Sequence, residues 1–125
     1  MRVFEKNIEY GNPIRDKSFK FGVRIIKFYI VHVKNEYHLN DILKQLLKSG
    51  TSIGANVAES QEATSKRDFI NKLSIALKEA RETEFWLKLL RESEIINEKE
   101  FISLINDCNE LIRILISIIK KLKEV

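Results

Sequence analysis

The string Gly50-Thr-Ser-Ile-Gly54 reads G-x-S-x-G, the pattern in which a hydrolase serine stands on a sharp strand-to-helix turn beside an oxyanion hole. Ser52 would be the nucleophile of such a site. That chemistry needs a strand ahead of the serine. Here the string lies inside a segment whose apolar residues recur every three or four positions, the period of one helical face. Mid-helix, its serines and glycines are positions for close helix packing and do not expose a nucleophile.

A second set of polar residues has helical spacing. Ser52, Asn56 and Glu59 follow one another at i, i+4 and i+7 along the margin of one helix, and Glu84 and Arg91 lie seven apart on the inner line of the next. A carboxylate inside a bundle must find a donor, because an unpaired buried charge is costly or is neutralised. The expectation is an interhelical hydrogen-bond network that fixes register, with Asn56 or Arg91 serving Glu84. A catalytic carboxylate is the competing reading, and it lacks a His, Lys or second acid placed to complete a reaction site. A di-iron bundle would need Glu-x-x-His on two helices; His32 and His38 are the only histidines, and neither has Glu three residues before it. His32 falls on the outer apolar side of the first helix and His38 in the loop after it. No glycine-rich phosphate loop occurs. The expectation is a protein that is not an enzyme and uses no metal or cofactor.

The single cysteine, Cys108, excludes a disulfide framework or a cysteine-rich zinc site within one chain; it suits a reducing, cytoplasmic compartment and reads as a small buried hydrophobe. Residues 1–5 carry an acid where a secretory signal would place its apolar core. The longest apolar runs, 28–31 and 114–116, are far too short to span a bilayer, so no membrane segment is expected.

A length of 125 residues with 44% hydrophobic composition, one Pro and four Gly suits one packed helical domain over 1–125. After a lead of residues 1–15, period and capping signals predict helices at about 16–36, 40–62, 65–93 and 97–123. Asn40, Ser65 and Asn97 stand as N-caps, with Asp68 and Glu100 completing capping-box patterns. The inner lines read Phe19, Gly22, Val23, Ile26, Ile30 and Val33 on the first helix, then Ile42, Leu46, Ser49, Gly50, Ile53 and Val57 on the second. The third carries Phe69, Leu73, Ala76, Leu77, Ala80 and Leu87, and the fourth an apolar stripe from Phe101 to Leu122. Helices of this length with short connections predict an all-α fold, an antiparallel up-down-up-down four-helix bundle.

Two outer features remain. Phe21, Ile25, Phe28 and Tyr29 form a second apolar face on the first helix, and Ile75, Phe85, Trp86 and Leu89 point away from the inner line of the third. Apolar surface of this kind marks a partner face, most simply another copy of the chain; the alternative is that it covers loops or the N-terminal lead. Between the two faces of the first helix run Lys17, Lys20, Arg24, Lys27 and Lys34. The net charge of +4 is concentrated in this region, with eight Lys and Arg against four Asp and Glu among residues 1–37. Such a stripe can follow a phosphate backbone of RNA or DNA, or be an ordinary solvated face; repetition around an oligomer would strengthen the first reading. The remaining alternative is a scaffold that docks a protein partner without nucleic acid.

Residues 17–25, the segment Leu46-Leu-Lys-Ser-Gly-Thr-Ser-Ile-Gly-Ala-Asn-Val-Ala-Glu59, Ser65-Lys-Arg-Asp-Phe-Ile70, Leu73-Ser-Ile-Ala-Leu-Lys-Glu-Ala80 and Glu82-Thr-Glu-Phe-Trp-Leu87 resemble the bacterial four-helix bundle protein family. This family is also described as the ribosomal-RNA intervening-sequence proteins, and earlier as S23 ribosomal protein. The resemblance runs in register from Lys17 to about Leu90, and the fourth helix matches in pattern only. Members resemble the accessory variability protein of diversity-generating retroelements, a barrel-shaped homopentamer that binds nucleic acid and a reverse transcriptase. The resemblance therefore implies a homopentameric ring and favours nucleic-acid binding, while the candidate lysines and arginine come from charge placement. This chain departs from many relatives at Ser60, where they carry Gly, and at Gln61-Glu-Ala-Thr64, where they carry a basic residue. The intervening-sequence label describes where some members are encoded, not an action on ribosomal RNA.

Overall fold

The computed structural model describes residues 12–124, and within them four α-helices and no strand: α1 (Pro13–Asn35), α2 (Asn40–Ser60), α3 (Lys66–Glu92) and α4 (Glu98–Lys123). A 3-10 turn, Tyr37–Leu39, joins α1 to α2. Most of the expected N-terminal lead lies outside the described residues. α1 opens three residues ahead of Asp16 because Asn12 accepts a hydrogen bond from the Arg15 amide and Pro13 supplies a pre-set φ in the first turn.

The caps of α3 and α4 form as their spacing predicts: Ser65 accepts from the Asp68 amide at 3.0 Å and Asn97 from the Glu100 amide at 2.8 Å. Asn40 does not cap α2. It is already inside the helix, and its side-chain oxygen accepts the Tyr29 hydroxyl at 2.7 Å instead, pinning the 3-10 turn to α1. α3 ends in a Schellman motif, in which the Glu94 amide donates to Arg91 O and the Ile95 amide to Leu90 O. Glu94 adopts a φ of 62°, a position that glycine usually fills.

Each helix packs on the next in sequence, and α4 closes back on α1. Gly54 meets the Ser18 backbone, Gly50 meets Ile25, and Glu59 lies 4.0 Å from Lys72 while Ser49 touches Thr83. Cys108 reaches the Ala80 carbonyl. The α1–α4 seam is bridged by polar pairs: Lys17 with Glu110, Arg24 with Asp107, and His32 with Glu100.

The inner lines expected for α2 and α4 are buried almost throughout, and α3 adds Thr83 and Leu90 to its own; Leu77, Ile42 and Phe101 are half-buried at the margin. α1 is inverted relative to expectation. Phe21, Ile25 and Phe28, expected on an outer face, are buried with Ile14 and Ser18, and Tyr29 is half-buried. Phe19, Val23, Ile26 and Ile30, expected inside, are exposed, Phe19 by 67%. Both faces are apolar, so periodicity alone does not choose between them. The buried one carries Ile25 to fit over Gly50, and it puts Lys17 and Arg24 beside the carboxylates of α4.

Candidate functional site

The expected interhelical network does not form among its named members. Ser52 donates its hydroxyl to Lys48 O at 2.6 Å, and Asn56 donates its amide to Ser52 O at 2.8 Å, so both side chains are spent on their own helix. Glu59 is largely exposed. Glu84 pairs with Lys88 at 3.6 Å on the same helix, and Arg91 donates to Ile96 O at 3.2 Å in the following turn. The polar contact that does cross the core is shorter in reach: Thr83 Oγ1 and Ser49 Oγ meet at 3.0 Å, both fully buried. Two hydroxyls satisfy each other and nearby carbonyls without bringing a charge into the core. The legible signal was the spacing of Thr83 after Ala76 and Ala80 on the inner line.

His32 is not on an outer face either; its ring stacks on Phe28 with centroids 4.1 Å apart, and its Nε2 lies 3.0 Å from Glu100. His38 is exposed beside Glu36, as a loop residue would be. Burial pushes the Cys108 thiol up to about 12, with Glu84 and Asp107 adding to the shift, so it is protonated and inert as a nucleophile. Among the described residues no three His, Cys, Asp or Glu side chains gather as a metal site, and no helix is long and apolar enough to cross a membrane.

The basic stripe separates into two rows. Lys17 and Arg24 face α4, where Lys17 meets Glu110 and Arg24 meets Asp107 at 2.6 Å and the Ser103 hydroxyl at 2.9 Å. Their charge is offset by these carboxylates. Lys20, Lys27 and Lys34, spaced by sevens, are exposed and have no carboxylate partner among the described residues. They border the exposed apolar stripe of α1 on its α4 side.

On the α2 side of that stripe lies an apolar groove of about 680 Å³, floored by Gly22 and Gly54 and walled by Phe19, Val23 and Ile26 of α1 with Ala55 and Ala58 of α2. The small residues of the Thr51–Ala58 stretch make the floor low enough for a groove to exist. On α3, Phe85 is 55% exposed and Ile75 and Leu89 are also open, while Trp86 is half-buried, its indole nitrogen donating to Glu82 at 3.2 Å. Burial and the neighbouring Glu82 raise the Glu79 carboxyl above its ordinary value, opposed by Lys78 and by Lys48 of α2.

The described helices are similar to a crystal structure from Bacteroides thetaiotaomicron VPI-5482, a protein with unknown function from the S23 ribosomal protein family. The two share 51% identity with a TM-score of 0.81, over 86% of this chain and 98% of that one. No curated protein is significantly similar to the chain. A family model described as 23S rRNA-intervening sequence protein matches residues 12–117, from the cap of α1 through most of α4, and the chain belongs to that family.

Proposed function

We propose that this protein is a non-catalytic, self-assembling four-helix bundle that holds nucleic acid by its phosphates through Lys20, Lys27 and Lys34. The carrying observation is that row: three exposed lysines, one every two turns, none of them in an ion pair among the described residues. The up-down-up-down course is supported by the pairings along the seams, since residue numbers rise on one helix as they fall on its neighbour: 18 with 54 and 25 with 50, 17 with 110 and 32 with 100. Assembly is supported by the apolar surface on α1 and α3, and the resemblance to the retroelement accessory protein suggests a homopentamer. A lone, buried, protonated thiol suits the cytoplasm. The absence of catalysis is inferred from side chains of Ser52, Asn56 and Arg91 that are each engaged by backbone carbonyls.

A second reading, a scaffold for a protein partner without nucleic acid, is favoured by one observation: Lys17 and Arg24 are offset by α4 carboxylates, which leaves the stripe with three cations where five were expected. Fluorescence anisotropy of labelled RNA and DNA against salt separates the two. Binding that weakens steeply with salt, and whose log–log slope becomes shallower by about one unit for each lost phosphate contact in Lys20→Glu and Lys27→Glu, supports the first. Arg24→Gln leaves the slope unchanged. No binding at low salt, with one stoichiometric protein partner retained after nuclease treatment, supports the scaffold.

A further inference from the structure

The apolar surfaces on α1 and α3 differ in shape. One is a groove between α1 and α2; the other is a ridge of large side chains on α3, the helix diagonal to α1. Two grooves set face to face would leave voids, whereas a ridge can fill a groove as side chains do between packed helices. A symmetric antiparallel contact of α1 on α1 would also set the Lys20, Lys27 and Lys34 row of one copy beside the same row of the other. Shape and charge therefore favour a contact between unlike faces, which leaves a free groove at one end and a free ridge at the other.

The heights match as well. Gly54 is level with Ser18, and Ser49, five residues earlier on α2, is level with Thr83. At about 1.5 Å per residue along each helix, Phe85 then stands level with position 25, next to Ile26, and Leu89 with position 29, next to Ile30. Copies joined the same way up meet without axial offset. Both faces also lean toward α2: the groove contains α2 residues, and Ile75 and Trp86 lie on the flank of α3 shared with Glu79, which feels Lys48 of α2. Joining them turns each copy in the same sense, with α2 toward the axis, as a closed ring requires.

The opposite flank of α3 carries Lys88 and Glu84, whose charges reach Cys108 of α4, and Arg81 lies on that flank. Counted from the same contacts, Arg81 is level with Phe21, one residue along the helix from Lys20. We propose that Phe85 of one copy seats at the Val23–Ile26 end of the groove of a second copy, with Leu89 against the exposed Ile30 beyond it, bringing Arg81 beside the row of Lys20, Lys27 and Lys34, so that the phosphate-binding strip is completed only at the seam between copies.

This seam rests on the reading of the protein as an assembling nucleic-acid binder, and the test separates the two. Native mass spectrometry of Val23→Glu and Phe85→Glu, both at exposed positions, is expected to show monomers with unchanged circular dichroism. Mixed together, they form a one-to-one dimer, since each retains one intact face. Binding of a fluorescein-labelled poly(U) 30-mer by the otherwise unmutated assembly is expected to weaken with Arg81→Glu as it does with Lys20→Glu. In the Phe85→Glu monomer, Arg81→Glu has no further effect. An assembly that survives either glutamate, or no dimer on mixing, overturns the seam. So does an assembly that binds the 30-mer and is indifferent to Arg81→Glu. An unmutated protein that does not bind the 30-mer at low salt overturns the nucleic-acid reading itself, even if mixing still yields the dimer and supports the ridge-in-groove contact.

Discussion

Gly50 of α2 lies so close to Ile25 of α1 that a β-carbon built on the glycine would stand 2.9 Å from both γ-carbons of the isoleucine. The isoleucine is β-branched and fully buried, with little freedom to turn aside. This contact fixes how closely α1 and α2 approach and which face of α1 turns inward.

Gly50→Ala is therefore expected to destabilise the protein. Overpacking costs about 1–3 kcal/mol, against a gain of about 1 kcal/mol in helix propensity. Gly22→Ala is the control: its β-carbon would meet nothing nearer than the Thr51 Cα at 4.0 Å, so the propensity gain survives and stability rises by about 0.5–1 kcal/mol. Urea unfolding in the Phe85→Glu background, where no second copy enters the groove floored by Gly22, checks both. A Gly50→Ala variant more stable than its parent would contradict the packing account.

The Ser49–Thr83 contact predicts coupling between two helices. Thr83→Val keeps the shape and removes a buried hydroxyl, at a cost of about 0.5–1.5 kcal/mol. Ser49→Ala should cost a similar amount. Because the two hydroxyls serve each other, the double variant should lose less than the sum of the singles, by about 0.5 kcal/mol or more in a double-mutant cycle. Strict additivity would show that the pair contributes no mutual stabilisation.

Cys108 gives a prediction in pH. Its folded-state value of about 12 exceeds the ordinary 9.0, so the native thiol holds its proton where the unfolded one loses it. Its contribution is fully present below about pH 9 and is lost progressively as the pH rises toward 12. Chemical unfolding followed between pH 8 and 11 should show stability falling on the alkaline side, with a shallower fall in Cys108→Ala. A thiol-specific disulfide reagent at pH 8 should label the protein in urea and leave it unmodified when folded. Rapid labelling of the folded protein would mean that the burial is not maintained in solution.

Much of the architecture was legible because capping and periodicity are local. Ser65 with Asp68 and Asn97 with Glu100 mark the starts of α3 and α4 within the reach of one side chain. The stripe from Leu104 to Leu122 has a single apolar face, so its inward direction follows from sequence. α1 has two apolar faces, so its period is met equally by turning Phe19, Val23, Ile26 and Ile30 inward, whereas Phe21, Ile25 and Phe28 are the buried set. The polar contact across the core falls on Ser49 and Thr83 and not on Asn56, Glu84 and Arg91 for a related reason: long polar side chains can fold back on their own helix or the next turn, and spacing does not show whether they do.

Four helices, the caps of α3 and α4, the family and the presence of a basic stripe are legible in the sequence alone, since each depends on residues within a turn or two of one another. Packing between helices sets which face of α1 is surface, which lysines of the stripe lack an ion pair among the described residues, and that the small residues of the Thr51–Ala58 stretch floor a groove. These depend on atoms brought together from distant positions: Ile25 against Gly50, Lys17 against Glu110, Arg24 against Asp107. Helical period can place a side chain on an arc of its own helix; only the neighbouring helix decides whether that arc is core, ion pair or open surface.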